Sequence, residues 1–340
     1  MLDSGLSAEL QLPENVRILG TRSFCYDHLT DSVLEGTKIE DLNGHGTMCV
    51  STILSQFTYV DFYIIRMLSA SGMTNEAVFL RALEYACETD ADIILNDASV
   101  DVICETMGGI EPAYTFTKKA LMSGKSVCTS NKELVAKHGA ELLEIAKQNK
   151  LNFLFEASVG GGIPIIRPLN QSLTADEIME ITGILNGTTN YILTQMRDFG
   201  SDFDTVLKEA QRLGYAERNP EADVEGYDAC RKLAILTSLA YGKQVDFEDI
   251  YTEGITKITA EDMKYAQSLG CTIKLLGMGN RQGDKFFAMV APRMINRNHP
   301  LYSVNDVFNG ILVKGNMLGD VMFYGRGAGK LPTASAVVAD

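Results

Sequence analysis

The chain has 340 residues, which leaves room for two domains. Of these residues 46% are hydrophobic and 22% are charged, a composition typical of a soluble globular protein. Its formal net charge of −14 repels phosphate backbones and anionic lipid, so we expect neither nucleic acid nor a membrane as a partner. No apolar run is long enough to span a bilayer and no basic residue precedes Arg17, so we predict a cytoplasmic protein without a signal peptide.

The first motif in chain order is LNGHGTMCVSTIL at residues 42–54, in which Gly44 and Gly46 flank His45. A dinucleotide-binding loop needs G-x-G-x-x-G after a buried strand, because the third glycine lets the helix and the strand pack closely. Cys49 occupies the position of that third glycine, and the preceding TKIED is too charged for a buried strand. The motif therefore does not predict a phosphate-binding loop.

Strands and helices alternate through the next part of the chain. A near-continuous apolar run predicts a buried parallel strand at residues 59–68, and Thr74 is expected to cap the helix that follows. Further strands are predicted at residues 91–95, 100–104 and 125–129, with a helix to Leu121 between the last two. This alternation predicts an open parallel α/β sheet.

The pattern changes after residue 151, where a strand is followed by a glycine run and an apolar segment. Helices are predicted at residues 203–213 and 224–241, and strands at residues 271–278 and 286–292. We therefore predict an α/β chain with a domain boundary near residue 156.

Cysteines and histidines indicate neither a disulfide framework nor a metal catalyst. The seven cysteines are odd in number and include no C-x-x-C pair, which favours reduced thiols. None of the four histidines is paired at metal-ligand spacing, so no catalytic metal is predicted.

Two stretches near the start of the chain, MLDSGL at residues 1–6 and NGHGTMCV at residues 43–50, resemble the front part of subtilisin-like serine peptidases. In that family an aspartate orients the histidine of H-G-T, which activates a serine in G-T-S. The resemblance gives the first two roles to Asp3 and His45. No G-T-S-x-A motif follows, so a serine nucleophile is missing and we expect both residues to be relics without peptidase activity.

The chain from about residue 95 onward resembles homoserine dehydrogenase in seven ordered segments. They are DVICETMGGIEPA (101–113), VCTSNKELVA (127–136), FEASVGGGIPII (155–166), GILNGTTNYIL (183–193), EAQRLGYAE (209–217), DVEGYDACRKLAIL (223–236) and GRGAGKLPTASAV (325–337). The resemblance implies an enzyme of threonine, methionine and isoleucine biosynthesis that interconverts L-aspartate 4-semialdehyde and L-homoserine with NADP or NAD. It also implies a parallel Rossmann-like sheet and a second α+β domain for substrate binding and dimerisation.

The residue types suit that reaction, because the carbonyl oxygen gains negative charge as hydride arrives and a cationic proton donor beside it lowers the barrier. The resemblance makes Lys232 and Lys132 the candidate catalytic residues. It assigns Asp228 and Glu217 to substrate binding, with Glu217 holding the ammonium group. Asp228 and Lys232 stand at i and i+4 on a predicted helix and so share one face; without the resemblance, the pair would be interpreted as a solvated salt bridge.

Cofactor contacts are implied by the resemblance at Ser130, Lys132, Gly214 and Gly327. Gly327 belongs to GRGAG at residues 325–329, which leads into a predicted helix. Free backbone N–H groups at the start of a helix suit a phosphate or an amide of a cofactor.

A monovalent cation such as Na⁺ is implied by the resemblance at Glu156, Val159, Gly161 and Ile163, in the segment EASVGGGI. The ligands would be mainly backbone carbonyls, which hard cations favour. A tight structural turn is the alternative that the sequence leaves open.

The two resemblances together predict a chimera. Its segments are a peptidase-like fragment (1–94), the remainder of the dinucleotide-binding domain (95–156), the substrate-binding and dimerisation domain (157–318) and a return to the nucleotide-binding domain (319–340). Because residues 1–94 contain no G-x-G-x-x-G loop, we expect impaired cofactor binding. We expect a homodimer that acts on a small amino-acid substrate; the alternatives are a peptidase remnant and a non-catalytic chain.

Overall fold

The computed structural model describes residues 2–3, 6–7, 10–13, 16–27, 32–40, 47, 50–51, 62–66, 101–283 and 285–340. The chain forms two compact units, residues 1–100 and 101–340. The boundary between these units differs from the domain boundaries predicted at residues 156 and 318. The predicted boundaries stay a prediction. No helix in the described ranges is long and apolar enough to cross a membrane.

The described part of the first unit contains a sheet with the strand order β1-β4-β2-β3. Its strands are β1 (Leu2–Asp3), β2 (Ile18–Asp27), β3 (Ser32–Gly36) and β4 (Phe62–Arg66). Strand β4 pairs in parallel with β1 and β2, whereas β2 and β3 are antiparallel. The prediction of a strand at residues 59–68 is confirmed, since β4 lies within it.

A small apolar cluster in the first unit contains the buried side chains of Leu6, Val16 and Val50. Ile39 packs against it, and its carbonyl accepts a hydrogen bond from the Leu6 backbone N–H at 2.6 Å. This cluster therefore packs together four segments that are separate in the sequence, around residues 6, 16, 39 and 50.

Several predictions for this part of the chain lie outside the described residues. They are the helix after Thr74, the strand at residues 91–95 and the motif around His45. Asp3 is described only as part of the backbone of β1.

The second unit begins with a parallel sheet in the order β5-β6-β7. Its elements in chain order are β5 (Val102–Glu105), α1 (Ala113–Met122), β6 (Ser126–Thr129), α2 (Lys132–Gln148) and β7 (Phe153–Leu154). The predicted strands at residues 100–104 and 125–129, and the helix between them, are confirmed. The parallel α/β prediction holds for these residues.

Helix α2 begins directly at the carboxyl end of β6. Asn131 caps it, because its Oδ1 accepts the backbone N–H of Leu134 at 3.1 Å. Leu134 and Leu142 are fully buried on one face, so packing fixes the helix. Lys132, the first residue of α2, is thereby held at the edge of the sheet.

A larger mixed sheet follows, with the strand order β13-β12-β8-β10-β11-β9. Its strands are β8 (Ile178–Ile184), β9 (Tyr251–Thr252), β10 (Cys271–Gln282), β11 (Lys285–Asn296), β12 (Phe308–Gly315) and β13 (Gly319–Arg326). The predicted strands at residues 271–278 and 286–292 are confirmed as parts of the β10–β11 hairpin, whose strands pair antiparallel.

The remaining helices, in chain order, are α3 (Gly187–Phe199), α4 (Phe203–Arg212), α5 (Glu221–Val224), α6 (Tyr227–Tyr241), α7 (Ala260–Ser268) and α8 (Lys330–Ala339). The helix predicted at residues 203–213 corresponds to α4. The helix predicted at residues 224–241 is divided, because Gly226 takes a left-handed φ of +84° between α5 and α6. Helix α6 packs against the large sheet and against α2, which joins the two parts of this unit.

Candidate active site

Two lysines converge on one carboxylate where α2 meets α6. Lys232 Nζ lies 2.6 Å from Oδ2 of Asp228, one turn earlier on α6. Lys132 Nζ reaches the other oxygen, Oδ1, at 2.8 Å from the start of α2. Three of the four residues predicted from the resemblance as catalytic or substrate-binding are therefore in direct contact.

The three side chains differ in exposure, and this difference affects their protonation. The side chains of Asp228 and Lys232 are 6% and 10% exposed, whereas that of Lys132 is 40% exposed. Burial alone would raise the pKa of Asp228, but attraction by Lys232 and Lys132 outweighs it and holds this pKa below its ordinary value. Burial would likewise lower the pKa of Lys132, and Asp228 reverses the effect and raises it. The cluster thus contains an ionised carboxylate beside a lysine that remains charged.

The ammonium group of Lys232 has a second acceptor, the carbonyl oxygen of Leu185, at 2.9 Å. Among the described residues, Asp228 and Leu185 are its two acceptors. A lysine ammonium carries three N–H donors, so one donor is left for a ligand. The contacts thus fix the position of the Lys232 ammonium group, and its catalytic role stays a prediction.

Asn186 and Asp223, which were not among the predicted site residues, belong to the same cluster. Asn186 Nδ2 donates to Oδ1 of Asp223 at 2.7 Å and to Oδ2 of Asp228 at 2.9 Å. Burial, followed by repulsion from Asp228, raises the pKa of Asp223. One amide group thus bridges two carboxylates.

A local signal for Asn186 was present in the sequence. Asn186 precedes Gly187 and two threonines, a pattern typical of a helix N-cap, and its Oδ1 does accept the Thr189 backbone N–H at 2.9 Å. The turn at Gly226 lets Asp223 and Asp228, which lie on different helices, reach the same amide. Only the tertiary structure shows that this cap also contacts carboxylates.

Glu217 is not brought into contact with this cluster. It is exposed in the loop after α4, and its side chain makes no hydrogen bond or ion pair within the described part of the chain. Its backbone carbonyl accepts a bond from Gln211 Nε2 at 3.0 Å. The role of Glu217 in holding a substrate ammonium group stays a prediction.

The residues predicted to contact a cofactor lie partly at the carboxyl edge of the parallel sheet, where open α/β sheets bind ligands. Ser130 follows β6 directly, and its backbone N–H donates to the carbonyl of Glu105 at the end of β5, at 3.4 Å. Lys132 leaves the same edge and reaches Asp228. A nicotinamide at this edge would therefore lie beside the lysine–aspartate cluster, so these residues fit the implied cofactor.

The glycine loop at residues 325–329 precedes α8, as predicted. A Cβ at Gly327 would overlap the amide of Asn309, and a Cβ at Gly161 would lie 2.7 Å from the Gly327 carbonyl oxygen. Glycine is required at both positions, because the Asn309 side chain approaches Gly327 and the backbone of residues 327–328 approaches Gly161. Gly214, also predicted to contact the cofactor, is exposed after α4 with a left-handed φ of +76°.

The predicted cation loop shows how the carboxylate of Glu156 is used. It accepts the backbone N–H groups of Ile165 and Ile166 at 2.6 and 2.8 Å, and that of Arg167 at 2.8 Å. The described residues contain no cluster of three or more His, Cys, Asp or Glu side chains that suits a metal. A cation here would therefore rely on backbone carbonyl oxygens, as the resemblance implies, and the site stays a prediction.

Comparison with known families gives two matches along the chain. The model for homoserine dehydrogenase matches residues 164–340, and the model for the homoserine dehydrogenase NAD binding domain matches residues 70–156. The homoserine dehydrogenase of Synechocystis sp. is 51% identical over 256 residues, which cover 74% of this chain and 59% of that relative. The chain thus spans about three fifths of that relative's length.

Solved structures of the same family are similar in fold. A homoserine dehydrogenase from Thiobacillus denitrificans is 39% identical with a TM-score of 0.73, covering 96% of this chain and 71% of that one. A hyperthermophilic archaeal homoserine dehydrogenase in complex with NADPH is 28% identical with a TM-score of 0.67, covering 86% of this chain and 92% of that one.

These comparisons do not support the peptidase-like fragment or the chimera. The match to the NAD binding domain includes residues 70–94, which the sequence analysis assigned to a peptidase. The resemblance rested on short motifs around Asp3 and His45 and on a strand and helix that any parallel α/β fold contains. The expectation of relic peptidase residues is therefore withdrawn.

Proposed function

Because the chain belongs to the homoserine dehydrogenase family, we propose that it interconverts L-aspartate 4-semialdehyde and L-homoserine. The observation that carries this proposal is the contact of Asp228 with both Lys232 and Lys132. A carbonyl that becomes an alkoxide needs a proton donor held in place, and a buried ammonium group beside a fixed carboxylate supplies one.

Lys232 is the proposed proton donor to the aldehyde oxygen, and in the reverse direction it accepts the hydroxyl proton. Its acceptors Asp228 and Leu185 fix the ammonium group, so its third N–H is aimed and does not rotate freely. Lys132, the more exposed lysine, is proposed to neutralise the developing negative charge and to bind the substrate carboxylate. Both lysines thus stabilise the negative charge that develops on the aldehyde oxygen in the transition state.

The carboxylates are proposed to hold the ammonium group of the amino-acid substrate. Glu217 is exposed, and the family resemblance implies this role for it. Asp228 already balances two lysines, so its contribution is to orient them and the substrate. Opposite charges at the two ends of a small zwitterion give the site its specificity for an amino acid.

A nicotinamide cofactor supplies or accepts the hydride when bound. Ser130, Lys132, Gly214 and Gly327 are the residues proposed to hold it, as NADP or NAD. A monovalent cation at the carbonyls of the segment 156–163 is proposed to stiffen that loop. We further propose a homodimer with a cytoplasmic location.

The test is the oxidation of NADPH by the purified chain with L-aspartate 4-semialdehyde as substrate. Lys232→Met should lower kcat by at least about 100-fold, the range that general acid catalysis contributes. Lys137→Met is the matched control, because Lys137 is a lysine of α2 that pairs with Glu248, at 3.1 Å, away from the cluster. Equal turnover by wild type and Lys232→Met would rule out the proposed role, and no turnover by wild type would rule out the proposed reaction.

A further inference from the structure

The neighbouring residues Leu185 and Asn186 contact both the proposed proton donor and its carboxylate. The Leu185 carbonyl accepts from Lys232, and the Asn186 side chain donates to Asp228 and Asp223. These contacts form a closed ring through Lys232 and Asp228, whose own ion pair measures 2.6 Å. The start of α3 is thus bonded to both members of that pair.

We infer that Asn186 is a positioning residue, which holds Asp223 and Asp228 at a fixed separation and so orients Lys232. This inference rests on the proposed function, because it assigns Asn186 a part in the same reaction. It is distinct from helix capping, since the cap uses Oδ1 and the bridge uses Nδ2. Asn186 is 5% exposed, so water does not readily replace the bridge.

The charges around the bridge explain why an amide is suited to this position. Asp223 and Asp228 face it from α5 and α6, Lys232 lies beside it on α6, and Lys132 approaches from α2 with Glu133 next to it. A neutral group with two N–H donors satisfies both carboxylates without adding charge. A carboxylate in the same place would repel both of them.

Two substitutions separate the bridge from the cap. Asn186→Asp keeps an N-cap acceptor and the shape of the side chain, but it replaces the N–H donor with an oxygen of a third carboxylate. Asn186→Ser keeps a capping oxygen, and its single hydroxyl cannot bridge two carboxylates. A residue that only capped α3 would tolerate both changes.

The expected result is a loss of kcat of at least tenfold in both variants at pH 8. In Asn186→Asp the loss should shrink as the pH falls to 6, because the repelled third carboxyl group takes up a proton and its O–H can donate to Asp223 or Asp228. Asn186→Ser should show no such recovery. If both variants retain kcat within twofold of wild type across this range, the inference is overturned.

A second readout does not depend on turnover. Urea unfolding should show that Asn186→Asp loses more stability relative to wild type at pH 8 than at pH 6, whereas the loss in Asn186→Ser is the same at both. Asp202→Asn is the control, because it exchanges the same two groups at the exposed N-cap of α4, where Oδ1 accepts from Thr205 at 2.9 Å. A pH-independent loss in Asn186→Asp would overturn the inference even if the wild type proved inactive on aspartate semialdehyde.

Discussion

Lys132 Nζ lies 2.8 Å from Oδ1 of Asp228, and this ion pair connects the first residue of α2 to the first turn of α6. The parallel sheet places Lys132, whereas the packing of α6 on the large sheet places Asp228. The contact therefore depends on both parts of the second unit. It brings a residue predicted to touch the cofactor to one predicted to touch the substrate.

The stability of the folded chain should depend on Asp228 in a way that pH reveals. Its pKa is lower in the folded protein than its ordinary value near 3.8, so the folded state binds fewer protons in acid than the unfolded state. The stabilisation is complete above that ordinary value and is lost as the pH falls below it. Asp228→Asn should cost about 3 kcal/mol at pH 7, because it leaves buried Lys232 without its charged partner, and less at pH 3.

Urea unfolding at the two pH values measures this difference. Asp249→Asn is the control, because Asp249 is exposed and its side chain makes no bond within the described residues. A cost for Asp228→Asn that does not change between pH 7 and pH 3 would contradict the prediction.

Lys274 is a buried lysine outside the candidate site, and it should make stability rise with pH. Its Nζ donates to Oδ1 of Asn190 at 2.9 Å, to the Val304 carbonyl at 2.6 Å and to Oδ1 of Asn305 at 3.0 Å. Burial, aided by repulsion from Arg197, lowers the pKa of Lys274 to about 7 from 10.5. Between these values the unfolded chain binds a proton that the folded chain does not, so the free energy of unfolding rises by up to about 1.4 kcal/mol per pH unit.

Lys274→Met removes this titration. The difference in unfolding free energy between wild type and the variant should therefore grow in favour of wild type from pH 7 to pH 9, measured by urea unfolding. A constant difference would show that Lys274 remains charged throughout this range.

Glu156 should stabilise its loop through the three backbone N–H groups that it accepts. Glu156→Gln turns one acceptor oxygen into a donor facing another donor, so we expect a loss of about 2 kcal/mol in unfolding free energy. Glu144→Gln is the control, because Glu144 is exposed on α2 and, within the described residues, accepts a side-chain bond only from Gln148. A loss below about 0.5 kcal/mol, the size of an ordinary surface substitution, would contradict this role.

The approach of Gly327 to Asn309 can be tested by a double-mutant cycle. Gly327→Ala places a methyl group on the Asn309 amide and should cost about 2 kcal/mol of stability. In an Asn309→Ala background the same change should cost less than half as much, because the obstructing amide is absent. Gly108→Ala is the control, since a Cβ there meets nothing within 4 Å. Equal costs in both backgrounds would show that the overlap is not the cause.

The sequence predicted those elements whose signal is local. Periodicity and apolar runs identified β4, β6, α4 and the β10–β11 hairpin. The strands β12 and β13 were missed, since glycines and charged residues interrupt FNGILVKG and GDVMFYGR. They form a hairpin with each other, and the other partner of β12 is β8, which lies far away in the sequence. The helix predicted at residues 224–241 was placed correctly except at its start. There the left-handed conformation of Gly226 separates α5 from α6.

The candidate site was predicted by two different routes. The spacing of Asp228 and Lys232 indicated a shared helix face, but not that the pair is buried, because burial depends on packing against α2. The contribution of Lys132 came from the family resemblance alone. The second role of Asn186 could not be inferred from its capping pattern, because the carboxylates it bridges belong to other helices.

The two lysines at Asp228 differ in how they would respond to motion. Lys232 shares a rigid helix with Asp228, so their separation survives any displacement of that helix. Lys132 is attached to the other sheet and its side chain is 40% exposed, so its separation from buried Asp228 depends on how the two sheets are packed. The Lys132–Asp228 pair therefore reports on the alignment of the two sheets, whereas the Lys232–Asp228 pair reports only on the integrity of α6.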